Sequence, residues 1–291
     1  MKNPTVREAL KNAVEKLGAA GVDAPAQDAG FLITHLLKVK RHELFLNPER
    51  ELTDAEASQF DSFIERRCRR EPSQLITGEC EFRGLTFRVT GDVLIPRPET
   101  EILIDEALEK AASFEEAAPH CAIDLCTGSG CMAVSFAKEA PLWRVFATDI
   151  SPAALKIARV NAEANGVGNR IELLEGDLFA PLKGIKAGLI LSNPPYVTAA
   201  DMKTLDPEVA LWEPAGALYG GADGLDFYRR ITAEAPEHLL PGGFLIMEIG
   251  WGQAGEVRKL LEKEGHFTDI KIRKDYAGIE RVAVARVVQG R

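Results

Sequence analysis

Residues 121–130 read Cys121-Ala122-Ile123-Asp124-Leu125-Cys126-Thr127-Gly128-Ser129-Gly130. A short apolar run, a glycine-rich turn and a helical pattern through Val134 and Phe136 predict a strand, a tight loop and a helix in succession. Glycines at such a junction let the backbone approach a ligand closely and set helix N-terminal amides beside it. Downstream the two periods keep alternating. Strands are expected over 145–148, 171–174, 188–192 and 244–249, and helices over 152–165, 225–240 and 253–264. Residues 270–272 and 282–284 read as a closing strand pair. Alternating strands and helices imply an α/β fold with a mostly parallel, doubly wound sheet. Ligands of such sheets bind beyond the C-terminal ends of the strands.

Upstream the pattern is different. Residues 1 to about 72 read as helical. Val6, Leu10, Val14 and Leu17 recur at helical spacing, with Gly18 and Gly21 after them. A second helix is expected over 26–37, and a third after Thr53, with Glu56 at the capping-box position. The run Arg66-Arg67-Cys68-Arg69-Arg70 is expected to be a solvated helix end that complements the helix dipole. Pro72 breaks the pattern, and Glu81 to Val89 reads as a hairpin turning at Gly84. The expected organisation is a helical domain over 1–72, a hairpin linker over 73–90 and an α/β domain over 91–291.

Composition narrows the class. The chain has 291 residues, 46% of them hydrophobic, enough for a large core. No apolar run approaches the length of a membrane span, and the N-terminus lacks the apolar stretch of a secretory signal. Five cysteines, an odd number without close paired spacing, fit free thiols in a reducing cytoplasm and suggest no metal site. A net charge of −9 weighs against a nucleic-acid partner, because phosphate binding calls for basic surface.

Two further residue groups carry chemistry. Asp149 ends the second strand, where a carboxylate can accept hydrogen bonds from both hydroxyls of a ribose. With the loop Cys126 to Gly130, it describes a site for a nucleoside-containing cofactor. Gly128-Ser129-Gly130-Cys131-Met132-Ala133 also satisfies a dinucleotide fingerprint, so the loop by itself does not choose the cofactor. Asn193-Pro194-Pro195-Tyr196, directly after the fourth strand, separates the candidates. Consecutive prolines stiffen the backbone and remove two donors. The Asn193 side-chain oxygen and the Pro194 carbonyl then form a row of acceptors, and Tyr196 adds a flat face. Such a site suits a planar NH2 group, which a hydride-transfer enzyme does not need.

Asn-Pro-Pro-Tyr after the fourth strand resembles the amino-group methyltransferases that use S-adenosylmethionine. The resemblance to the release-factor glutamine methyltransferases goes much further. It includes Pro72 to Gly78 with Phe82 to Phe87, Leu94 to Glu101, Glu248-Ile249-Gly250-Trp251, and Asp275 to Arg281. It covers nearly the whole chain.

The fold this implies is a Rossmann-like, mostly parallel sheet of seven strands with a small all-helical N-terminal domain. The activity it implies is methyl transfer from S-adenosylmethionine, leaving S-adenosylhomocysteine, to the side-chain amide N5 of the glutamine in the Gly-Gly-Gln loop of release factors. The sister activity on a ribosomal-protein glutamine and DNA adenine-N6 methylation are the alternatives. By position, Cys126, Thr127, Gly128, Ser129 and Gly130 would line the methionine part of the cofactor. Asp149 would hold the ribose, and Asp177 and Leu178 would meet the adenine. Asn193 would face both cofactor and substrate, with Pro194, Pro195 and Tyr196 around the substrate amide. Pro96 to Thr100 would cover the cofactor.

The family loop often reads Gly-Thr-Gly-Ser-Gly, whereas Cys126 stands first here. A cysteine at positive φ would be strained, so this position is expected to have an ordinary φ and to accept a small side chain.

Overall fold

The computed structural model describes residues 3–114 and 120–288. Met1 and Lys2, part of the N-terminal stretch read above, lie outside the described residues. The chain forms two compact units, one of Met1–Glu79 with Asp206–Trp212, the other of Cys80–Leu205 with Glu213–Arg291.

The first unit is helical: α1 (Val6–Ala19), α2 (Pro25–Leu37), α3 (Arg41–Leu46), α4 (Asp54–Cys68) and α5 (Ser73–Thr77). Thr5 with Glu8 and Thr53 with Glu56 form complete capping boxes at the starts of α1 and α4. Apolar faces at helical spacing meet in one core of Val6, Leu17, Leu32, Ile33, Phe60 and Ile64.

The arginine run departs from the expected solvated helix end. The Arg67 side chain is only 8% exposed and pairs with Asp28 at 2.7 Å and with Glu208 at 2.8 Å. Arg70 reaches the other oxygen of Glu208 at 2.7 Å, and Arg66 pairs with Glu71. These two arginines hold the Glu208 carboxyl far below its usual range, at about 2, although burial alone would raise it. Glu208 lies in the short α9 (Pro207–Ala210), which the linear pattern gives no reason to join to this unit.

The second unit opens with the hairpin β1 (Glu79–Phe82) and β2 (Leu85–Arg88), followed by α6 (Glu101–Ala111). Arg83 secures the turn. Its backbone amide donates to Glu101 at 2.8 Å, and its guanidinium reaches Asp105 and Glu139, both at 2.7 Å. Then come β3 (His120–Leu125), α7 (Cys131–Glu139), β4 (Trp143–Asp149), α8 (Pro152–Ala164), β5 (Ile171–Glu175) and β6 (Ala187–Ser192). The unit closes with α10 (Asp226–His238), β7 (Leu239–Glu248), α11 (Ala254–Glu264), β8 (Phe267–Lys274) and β9 (Glu280–Val287).

The sheet has seven strands in the order β5-β4-β3-β6-β7-β9-β8. Neighbours from β5 to β7 run parallel, and β9 is antiparallel to both β7 and β8. Strand residues alternate between two cores. Leu189 and Leu191 of β6 face the side holding Leu103 of α6 and Phe136 of α7, while Ile190 faces the side holding Ile231 of α10 and Leu261 of α11. The expected helix over 225–240 ends at His238, and β7 starts at Leu239 rather than at Phe244. Pro241, Gly242 and Gly243 lie within β7, opposite a register shift between Ala187 and Leu189 of the neighbouring strand.

The chain winds from β3 outward to β5, then returns to the other side of β3 with β6. The reversal leaves a crevice beyond the C-terminal ends of β3 and β6. The loop starting at Cys126 and the one starting at Asn193 rise from those two ends, because Leu125 and Ser192 are register partners.

Candidate active site

The loop after β3 is built around two carboxylates. Asp149, at the end of β4, accepts from the Gly128 amide at 2.8 Å and from the Ser151 amide at 2.9 Å. The Thr127 amide donates to the Thr148 carbonyl at 3.0 Å. Asp124, fully buried one turn below, accepts from the Thr127 hydroxyl at 2.6 Å and the Ala133 amide at 3.2 Å through a single oxygen. Its Oδ1 is buried with no hydrogen-bond partner. Burial raises the Asp124 carboxyl to about 7, with the Asp149 charge adding and the two hydrogen bonds opposing.

Gly128 and Gly130 both take positive φ, and a Cβ on Gly130 would come within 3.0 Å of Ala158 in α8. Cys126 also has φ of 60°, against the expectation of an ordinary φ. The loop makes a left-handed turn here and carries a side chain through it, at a cost of roughly 1–2 kcal/mol. Burial, followed by the nearby Asp149 and Asp124 charges, pushes the Cys126 thiol well above its usual range and keeps it protonated.

At the end of β5, the Gly176 amide donates to the Asp149 carbonyl at 3.0 Å, which brings this turn alongside the loop. Asp177 is half exposed, and one of its oxygens is held by Arg230 at 2.7 Å. Leu178 is buried and also has positive φ.

Asn193 to Tyr196 is clamped from two sides. On one side, the Asn193 Nδ2 donates to the Thr100 hydroxyl at 3.3 Å, and that hydroxyl donates to Glu248 Oε2 at 2.6 Å. The Tyr196 hydroxyl donates to the other Glu248 oxygen at 3.2 Å, and Tyr228 donates to the Glu248 carbonyl at 3.0 Å. On the other side, Gln253 Nε2 donates to the Tyr196 carbonyl at 3.0 Å, while its Oε1 accepts from the Gly250 amide at 3.0 Å. Gly220 and Gly250 leave the room this requires, since a Cβ at either would lie 2.6 Å from Tyr196 Cα or Gln253 Oε1 respectively. Among the described residues, neither Asn193 Oδ1 nor the Pro194 carbonyl takes a hydrogen bond from the protein. Arg97, in the segment that precedes Thr100, pairs with both oxygens of buried Glu213 at 2.7 and 2.8 Å.

The strand-end residues read from the sequence thus gather at one edge of the sheet. Several residues of the assembly escaped that reading: Asp124, Asn161, Glu248 as a hub and Gln253, while Thr100 was read only as the end of a segment over the cofactor. Asn161, in the last turn of α8, is buried. It accepts from the Arg88 amide at 2.7 Å and donates to the carbonyls of Arg88 at 3.0 Å and Ser129 at 2.8 Å. A buried-looking polar residue on an apolar helix face was the only linear signal for it. No group of three or more His, Cys, Asp or Glu suited to hold a metal ion occurs among the described residues.

The fold of this seven-stranded sheet is one that solved methyltransferases share. A solved methyltransferase from Pyrococcus furiosus shares the fold, with a TM-score of 0.52 at 18% identity, covering 76% of this chain and 98% of its own. The hMettl16 catalytic domain shares it with a TM-score of 0.57 at 16% identity, covering 80% of this chain and 82% of that chain. Residues 8–78 match the family described as PrmC N-terminal domain, and residues 100–209 match the methyltransferase small domain. A release factor glutamine methyltransferase of Geobacter sulfurreducens is 42% identical over 285 residues, 97% of each chain. One from Cereibacter sphaeroides is 44% identical over 280 residues, 96% of this chain and 98% of its own. The chain belongs to the release factor glutamine methyltransferase family.

Proposed function

We propose that this enzyme transfers the methyl group of S-adenosylmethionine to the N5 amide nitrogen of the glutamine in the Gly-Gly-Gln loop of peptide chain release factors. The observation that carries the reading is the orientation of Asn193. Its NH2 is turned back onto Thr100, which leaves its oxygen able to accept, and the Pro194 carbonyl next to it takes no hydrogen bond from the described residues. Two unengaged acceptors on adjacent residues match the two protons of a primary amide.

The site residues suit the cofactor. An unpartnered buried carboxylate oxygen on Asp124 favours a cationic ligand close to the loop. Cys126, Thr127, Gly128, Ser129 and Gly130 would line the methionine part, and Asp149 retains lone pairs for the ribose hydroxyls. The Asp177 oxygen not held by Arg230 would take the adenine amino group, with Leu178 against the ring. When bound, S-adenosylmethionine supplies an electrophilic methyl on a sulfonium centre.

Asn193 and Pro194 would hold the substrate amide so that its nitrogen lone pair turns out of conjugation, and they would stabilise the positive charge that grows there. Pro195 stiffens the turn, and the Tyr196 ring, anchored through its hydroxyl, supplies a flat wall. Orientation of this kind converts much of the entropic barrier into binding. The proton lost from nitrogen goes to water, and no side-chain base is required. On this reading the helical residues 1–72 select the release factor, residues 73–90 link the domains, residues 91–291 carry the chemistry, and the enzyme works in the cytoplasm.

The test is incubation of the full-length protein with methyl-labelled cofactor and, separately, unmethylated release factor, ribosomes or DNA. Label on the Gly-Gly-Gln peptide is expected; label only on ribosomal protein or DNA refutes the substrate. Asn193→Ala should lower kcat by about 10²-fold or more, with cofactor affinity changed little. Unchanged kcat at saturating cofactor would rule out the acceptor role.

A further inference from the structure

We propose that Glu248 is a positioning residue for methyl transfer: acting through the Thr100 hydroxyl, it sets which way round the Asn193 amide sits, and so which atom faces the substrate nitrogen. This deepens the reading above and rests on Asn193 Oδ1 being an acceptor for that nitrogen.

The direction of each hydrogen bond follows from chemistry. Glu248 is 2% exposed, and as a carboxylate it can only accept. Thr100, itself 2% exposed, has one hydroxyl proton, and at 2.6 Å from Glu248 Oε2 that proton is committed to the carboxylate. The Thr100 oxygen can then only accept from its other neighbour. Asn193 lies 3.3 Å away and meets it with Nδ2, the sole arrangement that avoids two oxygens face to face. The amide oxygen is thereby turned away from Thr100.

The same carboxylate takes the Tyr196 hydroxyl on its second oxygen at 3.2 Å. One buried anion therefore polarises both ends of the Asn193–Tyr196 turn in the same sense. An amide at position 248 would not do this. Its NH2 could donate to Thr100, whose proton would then turn towards Asn193 and draw the amide oxygen to itself. Position 248 thus calls for a group that accepts on both sides, although burying a carboxylate is expensive and a neutral residue would be cheaper for stability. Burial pushes the Glu248 carboxyl above its usual range, and the hydroxyls donated by Thr100 and Tyr196, then the Arg281 charge, oppose that shift and favour the carboxylate.

The test compares Glu248→Gln, Thr100→Val and Thr100→Ser in the full-length protein. The assay is methyl transfer to an unmethylated bacterial release factor at varied substrate and saturating cofactor. Binding of S-adenosylhomocysteine by calorimetry and thermal melting are measured alongside. Glu248→Gln and Thr100→Val should each lower kcat on the order of 10²-fold, with product affinity within about threefold of the parent, while Thr100→Ser recovers to within about fivefold. Should Glu248→Gln fail to fold, Thr100→Val and Thr100→Ser decide the matter alone. Parental kcat in Thr100→Val overturns the proposal, as does a Thr100→Ser as impaired as Thr100→Val, which would mean the site needs the methyl packing rather than the hydroxyl. Asn193→Ala separates the two levels: if it is inactive while Thr100→Val is not, only the relay fails. If Asn193→Ala is itself fully active, the underlying reading fails.

Discussion

Replacing Asn161 by alanine is expected to destabilise the α/β unit by about 3 kcal/mol. That figure follows from what the side chain touches. It is 1% exposed and makes three hydrogen bonds: two to the backbone of Arg88 in β2 and one to the Ser129 carbonyl in the loop after β3. The Ser129 bond is fully buried, so its loss leaves an orphaned carbonyl at roughly 1–3 kcal/mol. The two Arg88 bonds are part-buried and reach water more readily, at roughly 0.5–1 kcal/mol each.

Urea unfolding, followed by tryptophan fluorescence, reads the change in midpoint at constant slope. Asn161→Asp is the control of shape. It keeps the acceptor for the Arg88 amide but sets an oxygen against two carbonyls, so it should be at least as destabilised as alanine. Because Ser129 belongs to the loop after β3, both variants should also weaken binding of S-adenosylhomocysteine. An alanine variant within 0.5 kcal/mol of the parent, or an aspartate variant equal to it, would refute the idea that these three bonds hold the hairpin and loop to α8.

Asp124→Asn tests the buried carboxyl. Its value of about 7 in the fold lies above the unfolded carboxyl range, so protonation favours the folded state. The stability it contributes is complete below about pH 4 and is lost as pH rises through 7, an effect on the order of 4 kcal/mol. The parent should therefore lose stability relative to Asp124→Asn between these limits, read from urea midpoints at several pH values, and parallel curves would contradict this. Gly250→Ala adds a Cβ 2.6 Å from Gln253 Oε1 and 2.9 Å from Tyr196 Cδ2, without any demand for positive φ. Overpacking there should cost about 1–3 kcal/mol and lower kcat more than cofactor affinity, since it presses on the Asn193–Tyr196 turn and not on the β3 loop. A methyl-transfer assay showing the opposite split would contradict that separation.

Much of the architecture was legible because period carries it. The change from three- and four-residue spacing in the first 72 residues to short apolar runs after Cys121 separates a helical part from an α/β part. The strand-end residues Cys126, Asp149, Asp177 and Asn193 could be picked out because a parallel sheet sends all such ends to one edge. The arginine run misled for a physical reason. Charge reads as solvated unless its partner is known, and the partner of Arg67 and Arg70 is Glu208, far along the chain in a segment joined to the helical unit. Cys126 misled in another way: an L-residue at positive φ is a local exception that only the surrounding loop can enforce.

By itself, the sequence determined the alternation of strands and helices, the glycine turn after β3 and the stiff double-proline turn at Asn193, since these depend on side-chain period, glycine and proline, all local properties. Only the tertiary structure decided the direction of the hydrogen bonds around that turn. Thr100, the Asn193–Tyr196 turn and Glu248 come from three separate stretches of chain, and the polarity of the hydrogen bonds among them exists only once a buried carboxylate compels both hydroxyls to donate.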